Sequence, residues 1–169
     1  PVAVKMSVFV NAPLGVAKGF VEAGAKGLVM FNQLFQPDIY PEKESSVVRI
    51  NLSDKSAHKL PLRYSGLLYG ETAAAVIASS GIMDGKDVAK MILAGADAVQ
   101  VVSTLYRHKV SQLGVMVDEL GAWMDSKGYS SLDDFRGKMS RKNSSDPWTY
   151  KRAQYVQLLM KSNPMAANR

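Results

Sequence analysis

The sequence predicts an α/β protein built as half of a (β/α)8 TIM barrel, about four parallel strands with their helices. Three observations lead there. Short apolar runs alternate with stretches of helical period, which implies parallel pairing through crossovers. Four such runs occur, half the eight that a complete barrel of about 250 residues requires. The unit Glu-Ala-Gly-Ala-Lys-Gly-Leu-Val at positions 22–29 is echoed by Leu-Ala-Gly-Ala-Asp-Ala-Val-Gln at 93–100. Each reads as a helix end, a tight glycine turn and a buried strand, one supersecondary unit used twice.

Taken in order, Pro1 to Met6 reads as the first strand and Leu14 to Ala23 as a helix closed by Gly24. Gly27 to Phe31 is the second strand. Residues 32–64 hold Pro37, Pro41 and Pro61 and read as a long connection, with a hairpin expected around Val47 to Leu52. The run Thr72 to Ala78 follows a helix that begins before it and finishes as a strand at Val76 to Ala78. Asp84 is expected to cap a helix running through Leu93, with Asp87 completing a capping box and Gly95 closing the helix. Ala98 to Val102 is the last strand. Val110, Leu113, Val117, Leu120 and Met124 then form one apolar stripe at helical spacing, ended by Gly128. Leu132 to Arg136 is a short helix. Pro147 opens a last helix through Met160, and Ser162 to Arg169 form a frayed tail. Two parts follow: residues 1–140 as the half barrel, and 141–169 as a C-terminal helix with its tail.

Composition narrows the function. The 169 residues are 47% hydrophobic and 21% charged, enough for one cored domain. Cysteine is absent, which removes disulfides, zinc-thiolate sites and cysteine nucleophiles. His58 and His108 stand in no metal-ligand spacing. No run approaches the roughly 20 apolar residues of a membrane span, and no signal peptide is visible, so a cytoplasmic location is expected. The chain opens at Pro1 inside an apolar run, which suggests a fragment. The net charge of +6 fits a solvated basic surface with room for an anionic ligand. Lys138, Arg141, Lys142, Lys151 and Arg152 lack the interleaved aromatics of a known nucleic-acid module, so nucleic acid is not the expected partner.

Candidate site residues lie where strands end. Ala78-Ser79-Ser80-Gly81-Ile82 is a small-residue turn before a helix, where free backbone N–H groups favour an anion. Val102-Ser103-Thr104 ends the next strand, and loops after the last two strands of such barrels often share a phosphate site. The alternatives are a plain βα turn and hydroxyls that only cap a helix. Lys5 interrupts the apolar run Val-Ala-Val-Lys-Met, where alternation puts Ala3, Lys5 and Ser7 on one side. Its ammonium either faces a ligand or snorkels to water. Asn32 follows the second strand and offers an amide to a heterocycle, or merely forms a turn.

Together these segments resemble the dihydroorotate dehydrogenase family. Pro1 to Ser7 resembles its fifth strand, Leu28 to Asn32 its sixth, and Ser79 to Ile82 with Asp84-Gly85-Lys86-Asp87 its Gly-Gly-Ile, Thr-Gly-Glu-Asp turn. Leu93 to Ala96 and Ser103 to Leu105 match the next unit, and Trp123-Met124 with Tyr129 to Gly137 the closing helices. The resemblance implies the C-terminal half of an FMN-dependent oxidoreductase that moves a hydride between a dihydropyrimidine-type substrate and flavin N5. It implies Lys5 beside the flavin ring, Ser80, Gly81, Val102, Ser103 and Thr104 around the phosphate, Ser65 and Gly66 beside the cofactor, and Asn32 against flavin or a pyrimidine-like substrate. The sequence departs from the family at Ser80 and Val102, where glycine is common. The family's catalytic base lies in the first half of the barrel, so no catalytic residue is expected here and the isolated chain should be inactive. The missing N-terminal half, or a second copy forming a homo-oligomer, is the expected partner. A phosphate-binding isomerase or lyase on the same barrel, and a noncatalytic structural fragment, are the alternatives.

Overall fold

A computed structural model describes residues 1–32, 36–47, 50–146 and 150. Its centre is a four-stranded sheet in the order β1-β2-β5-β6, comprising β1 (Ala3–Ser7), β2 (Gly27–Asn32), β5 (Ala75–Ser79) and β6 (Ala98–Gln100). All three pairings are parallel. The connections are helical: α1 (Pro13–Glu22), α2 (Lys59–Leu68) and α3 (Gly85–Ala94). Two more helices, α4 (Ser103–His108) and α5 (Gln112–Lys127), follow the sheet.

Alternation along each strand separates two faces. Met6, Leu28, Met30 and Val76 point to the helices and form one core with Ala17 and Leu68. Ala78, Val88, Met91, Ile92, Met116 and Phe135 form a second core under α3 and α5. Phe135 is fully buried and packs edge-on to Trp123 and stacked on Tyr129. The opposite face carries Ala3, Lys5, Ala75, Ala98 and Gln100, all exposed. Val29 and Ile77 lie on it beside Lys5, whereas at the strand starts it is lined by small residues, where a Cβ at Gly27 would lie 2.9 Å from that of Ala3. Small side chains let this face curve inward. Lys5 Nζ donates to Gln100 Oε1 at 2.9 Å although β1 and β6 are the two outermost strands. Only a concave sheet brings those side chains together. Among the described residues, the outer edges of β1 and β6 pair with nothing.

Glycine contacts set the helix positions. Gly85 opens α3 directly against α5, where an added Cβ would lie 2.5 Å from Glu119 Cβ and 2.6 Å from Leu120 N. Glu119 Oε2 accepts from Gly85 N at 2.7 Å. The Tyr69 ring is wedged between Gly95 and Gly137, whose added Cβ atoms would meet it at 2.7 and 2.3 Å. Asp84 caps α3 as expected, accepting from Asp87 N at 2.9 Å. The capping box does not close, because the buried Asp87 carboxylate accepts instead from Met83 N and from Lys90 Nζ.

Other expectations shift. The hairpin lies at β3 (Asp38–Tyr40) and β4 (Ser45–Val47), upstream of Val47 to Leu52. The connection after β2 is shorter than 32–64, since a 3-10 turn begins at Lys55 and α2 at Lys59. Val110 and Val117 are about 70% exposed, while Met116 supplies the buried contact of α5. Residues 141–143 form a turn, and the expected helix from Pro147 to Met160 and the tail lie outside the described residues, apart from Tyr150. Part of the basic cluster is used within the chain: Arg141 pairs with Glu71 at 2.7 Å, and Lys138 lies 4.4 Å from the Tyr129 ring centre. Among the described residues, no helix is long and apolar enough to cross a membrane, and no group of acidic, His or Cys side chains could hold a metal.

Burial raises the Asp84 carboxyl, but hydrogen bonds from Lys55 and Asp87 N outweigh it and hold the group below the ordinary 3.8. Asp134 is lowered by the Ser131 and Ser130 N–H groups and the Ser130 hydroxyl. A depressed folded-state value stabilises above the unfolded value and is lost as pH falls through the folded one. Thermal stability should therefore hold down to about pH 5 and fall below about pH 4. Asp84→Asn should lower Tm near neutrality, with the gap to wild type narrowing in acid. An equal gap at about pH 2.5 and pH 7 would remove Asp84 from this account.

Candidate functional site

The C-terminal ends of the four strands open into one cleft of about 270 Å³. It is lined by Lys5 and Asn32 from the first two strands, by Ser79, Ser80 and Gly81 at the end of β5 and in the turn after it, and by Gln100, Val102 and Ser103 around the end of β6. The structure thus gathers six of the nine residues singled out in the sequence. A larger apolar hollow of about 640 Å³ adjoins it, sharing Phe31, Asn32 and Ser80.

The turn after β5 has a specific backbone. Ser80 has φ of 90° and Gly81 φ of 71°. A left-handed conformation costs a residue with a Cβ about 1–2 kcal/mol, so the Ser80 position favours glycine. Its hydroxyl donates only a long bond, 3.3 Å, to the Phe31 carbonyl. Ser80→Gly should therefore raise stability by about 0.5–1 kcal/mol, allowing for the extra freedom glycine gains when unfolded. Thermal melts check this, and a lower Tm would show that the hydroxyl matters more than the torsion. Gly81 is required twice over. Beyond its positive φ, an added Cβ would lie 2.3 Å from His58 N and 2.8 Å from Asp54 O.

Those contacts come from the segment after the hairpin, which folds over the turn. Its key residue is Ser53, buried at 7% exposure and not singled out in the sequence. Gly81 N donates to Ser53 Oγ at 3.2 Å. Ser53 Oγ lies 2.9 Å from Ser103 Oγ, which accepts from Ser53 N at 2.9 Å. The Ser53 hydroxyl therefore bridges the two turns, accepting from Gly81 N and donating to Ser103 Oγ. Asp54 holds the segment in shape by accepting from Ser56 N at 2.8 Å, and Lys55 pairs with Asp84 at the start of α3.

Three of the nine residues are not brought to the cleft. Thr104 is fully buried, and its Oγ1 donates to the Met83 carbonyl at 3.3 Å, tying the two turns together from behind. Ser65 and Gly66 lie in the last turns of α2, Ser65 fully buried and Gly66 against Tyr150, whose ring would be 2.2 Å from a Cβ at Gly66. The Ser65-Gly66 pair thus lies outside the cleft, and the serine that reaches the turns is Ser53. Its signal was faint: a Ser-Asp followed two residues later by Ser56, an ordinary turn pattern. Gln100 was also missed, because a polar residue at a strand end carries no pattern of its own.

No family model matches the chain. An Aeropyrum pernix protein named as a dihydroorotate dehydrogenase A (fumarate) is 32% identical over 124 residues, which covers 72% of this chain and 40% of that protein. The dihydroorotate dehydrogenase A (fumarate) of Lactobacillus helveticus is 28% identical over 142 residues, 82% of this chain and 46% of its own length. The crystal structure of the Eimeria tenella enzyme DHODH in complex with ferulenol superposes with a TM-score of 0.63 at 27% identity, covering 80% of this chain and 37% of that one. The chain spans less than half the length of these relatives, and its four parallel strands and helices match part of their fold. In sequence and in fold alike, this chain belongs to the dihydroorotate dehydrogenase family.

Proposed function

We propose that the chain is the cofactor-binding, C-terminal half of a dihydroorotate dehydrogenase-like oxidoreductase, corresponding to strands five to eight of the barrel, with FMN as its cofactor. The observation that carries this is the convergence of Gly81 N, Ser103 Oγ and Ser53 Oγ in a cleft that also holds the Lys5 ammonium. These N–H and O–H groups, bonded to one another in this structure, would turn to a phosphate on binding, and a cation beside them suits an anionic ring. FMN would supply the hydride-accepting centre.

The chain's own residues then have distinct tasks. Gly81, Ser103 and Ser53 hold the phosphate, with the Val102 backbone alongside. Lys5 provides positive charge at the ring, and the Asn32 amide orients a pyrimidine-like substrate by donating and accepting at once. No residue here is assigned as the proton acceptor, so the isolated chain is expected to bind but not turn over. The open edges of β1 and β6 and the exposed inner face suit closure by the first half of the barrel or by a second copy.

Titration of FMN, followed by fluorescence quenching, tests the reading. Saturable quenching is expected, weakened at least tenfold for riboflavin, which lacks the phosphate, and for Ser103→Asp, which places a carboxylate among the donors. Equal affinity for FMN and riboflavin would reject the phosphate site. No quenching in the chain, alone or with the first half supplied, would reject flavin binding.

A further inference from the structure

We propose that Gln100 is a positioning residue: its amide oxygen fixes the Lys5 ammonium over the middle of the concave face while leaving the full positive charge free for a ligand. The Nζ–Oε1 distance is 2.9 Å, between side chains 95 residues apart in sequence on the two outermost strands. On the intervening strands, Val29 and Ile77 stand level with Lys5 and carry no polar group. Gln100 therefore supplies the hydrogen bond that spans the concavity.

The chemistry of the acceptor matters. An ammonium has three donors and no acceptor, so the amide must present Oε1 to it and turn Nε2 away. Among the described residues one donor is used, and two remain for a ligand. A carboxylate in this place would hold Nζ equally well but would cancel its charge. A neutral acceptor orients without neutralising. It also removes side-chain freedom that a ligand would otherwise have to freeze, which is preorganisation. The inference deepens the flavin reading and rests on it for the identity of the ligand, an anionic planar ring. The Lys5–Gln100 pairing itself does not depend on that reading.

Two measurements on the whole chain test it. The first is competitive acylation with a limiting amount of acetic anhydride, read by mass spectrometry, with exposed Lys18 as internal standard. Gln100→Leu should raise labelling of Lys5 at least threefold relative to Lys18, whereas Gln100→Glu should not raise it. The second is FMN titration with determination of the bound flavin's midpoint potential. Gln100→Glu should weaken binding of the reduced, anionic form more than that of the oxidised form and make the potential more negative, with a smaller change for Gln100→Leu. A residue that merely packs at the strand end would leave both readouts unmoved. Unchanged Lys5 labelling in Gln100→Leu overturns the proposal whether or not flavin binds. A bound-flavin potential in Gln100→Glu equal to wild type overturns the charge argument. A labelling response without flavin binding by the wild-type chain supports the pairing and counts against the flavin reading instead.

Discussion

Gly85→Ala is expected to destabilise the chain by about 3 kcal/mol, which for this length lowers Tm by roughly 6–12 °C. Alanine is the better helix former, and an exposed Gly→Ala change inside a helix would stabilise by about 0.5–1 kcal/mol. Here the added methyl would lie 2.5 Å from Glu119 Cβ, 2.6 Å from Leu120 N and 2.7 Å from Met116 O. Two of those atoms belong to the backbone of α5 and cannot turn aside. The helices must separate, which loosens the core around Met91, Met116 and Phe135 and pulls Gly85 N from the Glu119 carboxylate. Crowding therefore outweighs propensity. Thermal or urea melts decide it, and a variant as stable as wild type would mean that α3 and α5 can slide apart without loss.

Gly81→Ala should have an effect of similar size but a different distribution. The substitution adds the left-handed penalty of about 1–2 kcal/mol to a clash with the backbone of 54–58. The overlying segment is short, rests on a 3-10 turn, and yields more readily than a helix pair. Local release is the expected response. The amides of Ser56 and Ala57, now bonded to the Asp54 side chain and carbonyl, should exchange faster, while those of β2 and β5 keep their protection. FMN binding should be lost with the Ser53 contact. Unaltered exchange at Ser56 and Ala57 would show that the segment does not depend on the turn beneath it.

The parts of the fold legible in the sequence are those with local causes. Asp84 as a cap and Gly95 as a stop delimit α3, and the apolar run Gly27 to Phe31 is a strand buried on both sides. The hairpin lies upstream of its expected place because its reversal uses Glu44 at φ of 47° rather than glycine, and because its strands are mostly exposed. The phase of α5 was misjudged because apolar residues occupy more than one side of it. Val117 and Met116 are adjacent in sequence, and only the packing of α3 selects Met116. The site divides in the same way. Strand-end residues Lys5, Asn32, Ser80, Gly81, Val102 and Ser103 follow from the parallel topology, which collects strand C-termini at one end. Ser53 and Gln100 depend on a long connection folding back and on the curvature of the sheet, and neither is encoded by local spacing.

The Tyr69 ring seated between Gly95 and Gly137 has a consequence for divergence. Three positions from separate segments share one volume, so none can drift alone. A side chain at either glycine is tolerated only where position 69 has already shrunk, and an aromatic at 69 persists only while both glycines do. Both glycines carry a second restraint, a positive φ, and that of Gly95 at 122° lies further from any conformation a side chain adopts than the 71° of Gly137. Substitutions among descendants of this sequence should therefore arise as linked sets, with position 69 changing first and position 137 following more readily than position 95.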